Sequence, residues 1–129
     1  MSSTLQPVAG STPAGPYSPA IIASGRMIYV SGQGPLTDGK PVTGAIEQET
    51  AHALANIARI LEGAGATMAD VVRCGVFVAD LADLPGMNRA YAEAFGDHRP
   101  ARTTVGAALP GIKVEIDCVA LLPDETRDA

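Results

Sequence analysis

Between residues 45 and 80 the apolar residues change their repeat once, and that change rules out most folds. Ile46, Thr50, Ala53, Leu54, Ile57, Ile60 and Leu61 recur at i, i+4 and i+7 spacing, which lines them along one side of a helix. Glu47, Glu49, His52, Arg59 and Glu62 fall mostly off that stripe, and the glycines of 'GAGAT' (63–67) stop it. The chain then becomes 'DVVRCGVFVAD' (70–80), whose Val72, Cys74, Val76 and Val78 share one face of a strand. A one-sided helix running into a strand of this length needs a sheet to lie on.

The remaining segments supply that sheet. 'RMIYVSGQ' (26–33) reads as a strand, and 'LTDGKPV' (36–42) carries the Asp-Gly of a hairpin turn. 'DLPGMNRAYAEAFG' (83–96) reads as a second helix, with Asp83 as its N-cap and Gly96 as its stop. 'TTVGAAL' (103–109) and 'KVEIDCVALL' (113–122) are two further strands. The order is strand, strand, helix, strand, helix, strand, strand. That predicts an α+β fold, a mixed β-sheet with two helices packed on one face. The 129 residues hold no repeat and no linker, so one domain spans 1–129, with 1–15 as an N-terminal arm and 123–129 as a flexible tail.

Two helices leave the second face of such a sheet uncovered. Phe77 shares its face with Arg73, Gly75 and Ala79, while Val119 and Leu121 share theirs with Glu115 and Asp117. A half-apolar face of this kind predicts burial against another copy of the chain.

Charge and composition remove several classes of function. The formal net charge is -5, Lys40 and Lys113 are the only lysines, and aromatics make up 4%, so neither a basic stripe nor a base-stacking surface for nucleic acid is expected. No run of about 18 apolar residues predicts a membrane span. The opening 'MSSTLQPVAGSTPAGP' lacks the basic and apolar regions of a secretory signal, and Cys74 and Cys118 each sit in an apolar run as expected of buried thiols. A cytoplasmic protein is the expectation. His52 and His98 are isolated, so no metal site is expected, and 'SGQGPLTDG' fits neither GxGxxG nor a P-loop.

What remains is an arginine and a carboxylate. In 'HRPARTTVGAALPG' (98–111), Arg102 stands behind Pro100 at the mouth of a strand. It is either an ion-pairing surface arginine or a planar fork for bidentate capture of a carboxylate. Glu115 lies off the apolar face formed by Val114, Ile116, Cys118 and Ala120, either as part of a solvated outer face or as a functional acid. With Arg102 taken to end a strand adjacent to that of Glu115, the two can divide one small substrate near an oligomer seam. Asn88, close to Leu84, Tyr91 and Phe95 on its helix, bonds either to a loop or into a cleft. Tyr17 either plugs the arm into the core or presents its hydroxyl to that cleft.

Taken together, 'AGPYSPA', 'IYVSGQ', 'TAHALANIARILEGAGATMADVVRCGVFVADLADLPGMNRAYAEAF', 'RPARTTV' and 'VEIDCVA' resemble the Rid family (RidA/YjgF, reactive intermediate deaminases) over about Pro16 to Leu121. The pairing of 'RPAR' with the later 'VEI' is the most specific part. The resemblance implies a chorismate-mutase-like fold assembled as a homotrimer with clefts between subunits. It implies cofactor-free hydrolysis of 2-imino acids and their enamine tautomers to 2-oxo acids and ammonia, a 2-iminobutanoate/2-iminopropanoate deaminase activity that clears metabolite damage. Carried over by position, Arg102 clamps the substrate carboxylate and Glu115 activates water, while Tyr17, Ser31, Gly32, Gln33 and Asn88 line the cleft. Relatives often have cysteine where this chain has Thr104, which leaves the preferred imine open. A specialised catabolic deaminase of the 2-aminomuconate type and a metabolite-binding or chaperone-like member are the alternatives. Some relatives are described as ribonucleases, and the acidic balance weighs against that here.

Overall fold

The chain, described over residues 3–124 by a computed structural model, opens with a ribbon in which β1 (Thr4–Val8) pairs antiparallel with β2 (Ala20–Ser24). Next come β3 (Met27–Gln33) and a short hairpin of β4 (Leu36–Thr37) and β5 (Lys40–Pro41). Then α1 (Ile46–Ala64), β6 (Val71–Val78), α2 (Leu84–Phe95), β7 (Ala101–Gly106) and β8 (Val114–Leu121) follow in turn. The main sheet has the order β3-β8-β6-β7, with β6 and β7 parallel and the other pairs antiparallel. Both helices pack on one side of it, as the sequence predicts.

Each boundary has a local cause. Asp38 and Gly39 take φ of 52° and 76°, the two left-handed positions that a tight hairpin turn requires between β4 and β5. Gly65, at φ 95°, ends α1 and returns its N–H to the carbonyls of Leu61 and Glu62. The core is then the predicted stripe closed onto alternate strand positions. Leu54, Ile57 and Leu61 of α1, with Met87 and Tyr91 of α2, are fully buried against Val76, Val78, Val114 and Ile116. Burying one such aliphatic side chain contributes about 1.5–3 kcal/mol.

Four local expectations are corrected. Val71, not Val72, takes the core position, because a bulge between Val71 and Arg73 shifts the register against β8 by one residue. Leu121, expected on the uncovered face, is 2% exposed. Asp83 is the N-cap residue of α2 as expected, but its side chain makes no capping bond there; the bonded cap is Asp80, which accepts Ala82 N–H at 2.9 Å in the turn just before α2. Part of the expected arm is the strand β1, paired with a β2 that the sequence reading missed. Of the tail expected over 123–129, residues 125–129 lie outside the described residues.

The face away from the helices carries Tyr29 at 78% exposure and Val105 at 44%, with Phe77 and Val119 between them in the sheet. The apolar residues expected on an uncovered face are therefore there, apart from Leu121.

Candidate active site

Arg102 is the second residue of β7, inside the strand rather than at its mouth, and its register partner on β6 is Cys74. Cys74 faces the helices, so Arg102 does too. Its guanidinium carbon lies 4.9 Å from the ring centroid of Tyr91 and 5.1 Å from that of Tyr17, held between two π faces. Tyr91 comes from the buried side of α2. Tyr17 is carried by the segment before β2, whose Ser18 N–H donates to Pro100 O at 3.1 Å and whose Ser18 hydroxyl donates to Arg99 O. The arm is thus tied onto the entrance of β7. The Tyr17 hydroxyl accepts from Ala14 N–H at 3.2 Å, so it braces the arm.

Around this guanidinium is a cavity of about 350 Å³ lined by Ala14, Tyr17, Leu84, Asn88, Arg102, Thr103 and Thr104. Four polar atoms of its lining are unsatisfied. Arg102 Nε and Nη1, Asn88 Oδ1 and Thr104 Oγ1 are buried without a hydrogen-bond partner. Among the described residues no carboxylate pairs with Arg102; the ion pairs are Arg89–Glu47 and Lys113–Glu49. Burial lowers the Arg102 pKa, with the tyrosine rings beside it acting in the opposite direction. A cation with unpartnered donors beside a cavity has the chemistry to take an anion of carboxylate shape.

Glu115 lies elsewhere. Its register partner is Phe77, and it alternates with the core residues Val114 and Ile116, so it points away from the helices. β6 stands between β7 and β8, hence Arg102 and Glu115 are neither on neighbouring strands nor on one face, which corrects the sequence expectation. Beside Glu115 are the residues predicted to form a wall. β3 bulges between Val30 and Gln33, and Gln33 Nε2 donates to Ser31 O at 3.1 Å. The bulge sets Gly32 against the carboxylate: a Cβ on Gly32 would stand 2.6 Å from Glu115 Oε2. Gly75 holds the same relation to Asp117, whose Oδ1 accepts the Gly75 N–H at 2.9 Å.

The predicted residues therefore fall into two groups on opposite faces of the sheet. Arg102, Tyr17 and Asn88 meet on the helix side of the β7 edge, joined by Thr104. Gly32 meets Glu115 on the open face, with Ser31 next to it in the β3 bulge, whereas Gln33 is the register partner of the core residue Ile116. Sequence reasoning missed Tyr91 as the platform under Arg102; its signal is the three-residue spacing from Asn88 on one helix face.

The two thiols face each other across β6 and β8 as register partners and are free. Burial raises the Cys74 pKa to about 11 and that of Cys118 to about 12. Burial also raises the Tyr91 hydroxyl, which faces Cys74 without the alignment of a hydrogen bond. Among the described residues no group of three or more His, Cys, Asp or Glu is placed to hold a metal ion, and no helix is long and apolar enough to cross a membrane.

Comparison with known proteins places this architecture. The family model described as Endoribonuclease L-PSP matches residues 9–122. A protein of Dermatophagoides farinae named 2-iminobutanoate/2-iminopropanoate deaminase is 38% identical over 85% of this chain and 88% of its own length. The chloroplastic Reactive Intermediate Deaminase A of Arabidopsis thaliana is 41% identical over 84% of this chain and 59% of its own length. Among solved structures, the Rid-family protein YyfB of Yersinia pestis superposes with a TM-score of 0.80 at 30% identity, covering 92% of this chain and 98% of that one. Yeast Mmf1 does so at 0.71 and 36% identity, covering the same shares. With matching sequence over most of its length and matching folds on both counts, this chain belongs to the Rid (RidA/YjgF) family of Endoribonuclease L-PSP proteins.

Proposed function

We propose that this chain is a cofactor-free deaminase that hydrolyses 2-imino acids, of the 2-iminobutanoate and 2-iminopropanoate type, to 2-oxo acids and ammonia. One observation carries the reading: Arg102 is a half-buried cation whose Nε and Nη1 are buried without a partner, stacked between Tyr17 and Tyr91 at the edge of a cavity. A substrate carboxylate satisfies those donors, and charge-assisted hydrogen bonds of this kind contribute about 1.5–3 kcal/mol. Membership of the family, and the names of the mite and plant relatives, support the same chemistry.

In this mechanism Arg102 clamps the carboxylate while Asn88 and Thr104 border the rest of the substrate. A carboxylate then removes a proton from water as the oxygen adds to the imine carbon. That proton passes to the nitrogen to give the carbinolamine; the carboxylate then carries the hydroxyl proton to the same nitrogen as the C–N bond breaks, so ammonia leaves and the carbonyl forms. Glu115 is the base, and it is supplied by a neighbouring copy, because within one chain it occupies the other face of the sheet. A homotrimer whose subunits bury the face of Tyr29, Phe77, Val105 and Val119 brings the two half-sites together in three clefts. Imines hydrolyse readily in water, so positioning and one clamp are sufficient catalysis. The substrate is a small acid; nucleic acid is not a partner on a net charge of -5. A cytoplasmic location fits this role, although yeast and plant relatives are named for the mitochondrion and chloroplast.

A second reading is favoured by the completeness of the Arg102 cavity without Glu115: a module that binds 2-oxo acids without turning them over. The experiment that separates the two follows 2-oxobutanoate release from a pyridoxal-phosphate threonine dehydratase, with semicarbazide trapping the imine. Faster release by the protein, lost with Arg102→Ala, supports the deaminase; no acceleration, with 2-oxobutanoate still bound, supports the binding module.

A further inference from the structure

α1 carries two polar side chains that reach main chain on either side of Glu115. Glu49 is 1% exposed although the sequence pattern places it off the apolar stripe. Its Oε1 accepts the Lys113 N–H at 2.8 Å, and its Oε2 accepts the Gly44 N–H at 3.2 Å and Lys113 Nζ at 3.3 Å. The Lys113 carbonyl is also engaged, accepting Ala79 N–H at 2.9 Å. Two turns further along the helix, Asn56 Nδ2 donates to the carbonyls of Gly34 and Leu36, each at 3.0 Å, while Arg59 donates to its Oδ1. Lys113 stands two residues before Glu115, and Gly34 two residues after Gly32, whose missing Cβ makes room for the Glu115 carboxylate. One helix thus grips both segments whose separation locates that carboxylate.

The energetics argue against a purely stabilising purpose. Withdrawing a carboxylate from water costs several kcal/mol, and replacing such groups by packed apolar ones is often neutral or better for stability. The Lys113 ammonium, on a side chain 45% exposed, recovers little of that cost. Two of the three donors to Glu49, and both acceptors of the Asn56 amide, are main chain. What these side chains fix is backbone position.

We infer that Glu49 and Asn56 are positioning residues that set the Glu115 carboxylate for water activation; this rests on the role given to Glu115 above. The test measures imine turnover in Glu49→Gln and Asn56→Ala, with Glu47→Gln as a control that removes a charge from the same helix outside the clamp. Glu49→Gln keeps one acceptor but turns an amide N–H toward a donor; Asn56→Ala removes the bonds to both carbonyls. The expected result is a fall of about tenfold or more in kcat with KM within about twofold, since the Arg102 half-site is untouched. Unchanged kcat, or a rise in KM alone, in folded variants overturns the inference. A second readout needs no turnover: the ¹³C shift of Glu115 Cδ moves in both variants and stays in place in Glu47→Gln. A shift unchanged in both would also overturn it. Should Glu49→Gln fail to fold, Asn56→Ala carries the test. Full turnover in Glu115→Gln would instead remove Glu115 from the mechanism, and the Cδ shift would still decide whether the clamp sets its place.

Discussion

Arg102 and Glu115 project from opposite faces of one sheet, with β6 between their strands. Strands in a sheet lie about 4.8 Å apart, and the register partners on β6, Cys74 and Phe77, stand three residues apart at about 3.3 Å each, so the two side chains begin roughly 14 Å apart and diverge. No rotamer change within a chain brings a guanidinium on one face and a carboxylate on the other onto one small acid.

Replacing Arg102 by methionine should raise KM for the imine, or Kd for 2-oxobutanoate, by about 10–100-fold, the loss of a charge-assisted pair. The same change should leave thermal stability unchanged or higher, because it removes a half-buried charge that has no carboxylate partner among the described residues. Calorimetry of the free protein beside titration with 2-oxobutanoate checks both signs. A large fall in Tm would mean that Arg102 serves the fold.

Glu115→Gln should lower kcat by about 10²–10⁴-fold, the range typical of a lost general base, with KM little changed. Single-turnover kinetics separate the two effects. A variant that loses binding instead would place Glu115 in the clamp.

Gly32→Ala puts a methyl group where Glu115 Oε2 now lies, at 2.6 Å. The carboxylate must swing away, so kcat should fall by about tenfold or more while the fold persists. A crystal structure of the variant checks the displacement. Wild-type turnover with an unmoved Glu115 would sink this account of the glycine.

The open face should be the contact between copies. Tyr29→Arg with Val105→Arg places charge on its two most exposed apolar residues, at 78% and 44%. Light scattering should show the mass falling to that of a single chain, with turnover lost and 2-oxobutanoate binding retained in part. An unchanged mass would move the interface elsewhere.

Buried thiols make stability fall at high pH. The Cys74 and Cys118 pKa values are raised from 9.0 to about 11 and about 12, chiefly by burial. Their contribution is fully present below pH 9, where both states are protonated, and is lost as pH rises through the folded values. At pH 10 the loss is about 1 kcal/mol for each thiol. Urea unfolding at pH 7.5 and pH 10 should show a smaller difference for Cys74→Ala/Cys118→Ala than for the parent chain. Equal differences would contradict the assignment.

Much of the fold is legible in residue order because it is set by local period and turn chemistry. The stripe from Ile46 to Leu61 and the left-handed pair Asp38–Gly39 need no knowledge of the rest of the chain. What stays hidden is set by distant partners. The bulge that exchanges Val72 for Val71 depends on β8, and Glu49 is buried only because Lys113 and Gly44 bring their donors to it. β1 and β2 lie in Pro- and Gly-rich sequence and gain their strand form from pairing with each other. The site residues are recognisable individually, but their separation is not. Chain order makes the Arg102 and Glu115 strands consecutive, and only the insertion of β6 between them reveals the two faces.

The most direct test mixes two impaired chains. Arg102→Ala retains Glu115, and Glu115→Ala retains Arg102; assayed at a substrate concentration well below the raised KM, each alone should show little turnover. Co-expressed in equal amounts, they should recover about a quarter of wild-type turnover, because random assembly of a cyclic oligomer places an intact Arg102 beside an intact Glu115 at about one interface in four. Recovery near that level confirms a site shared between copies. A mixture no more active than its two parents, in assemblies shown to contain both chains, contradicts it.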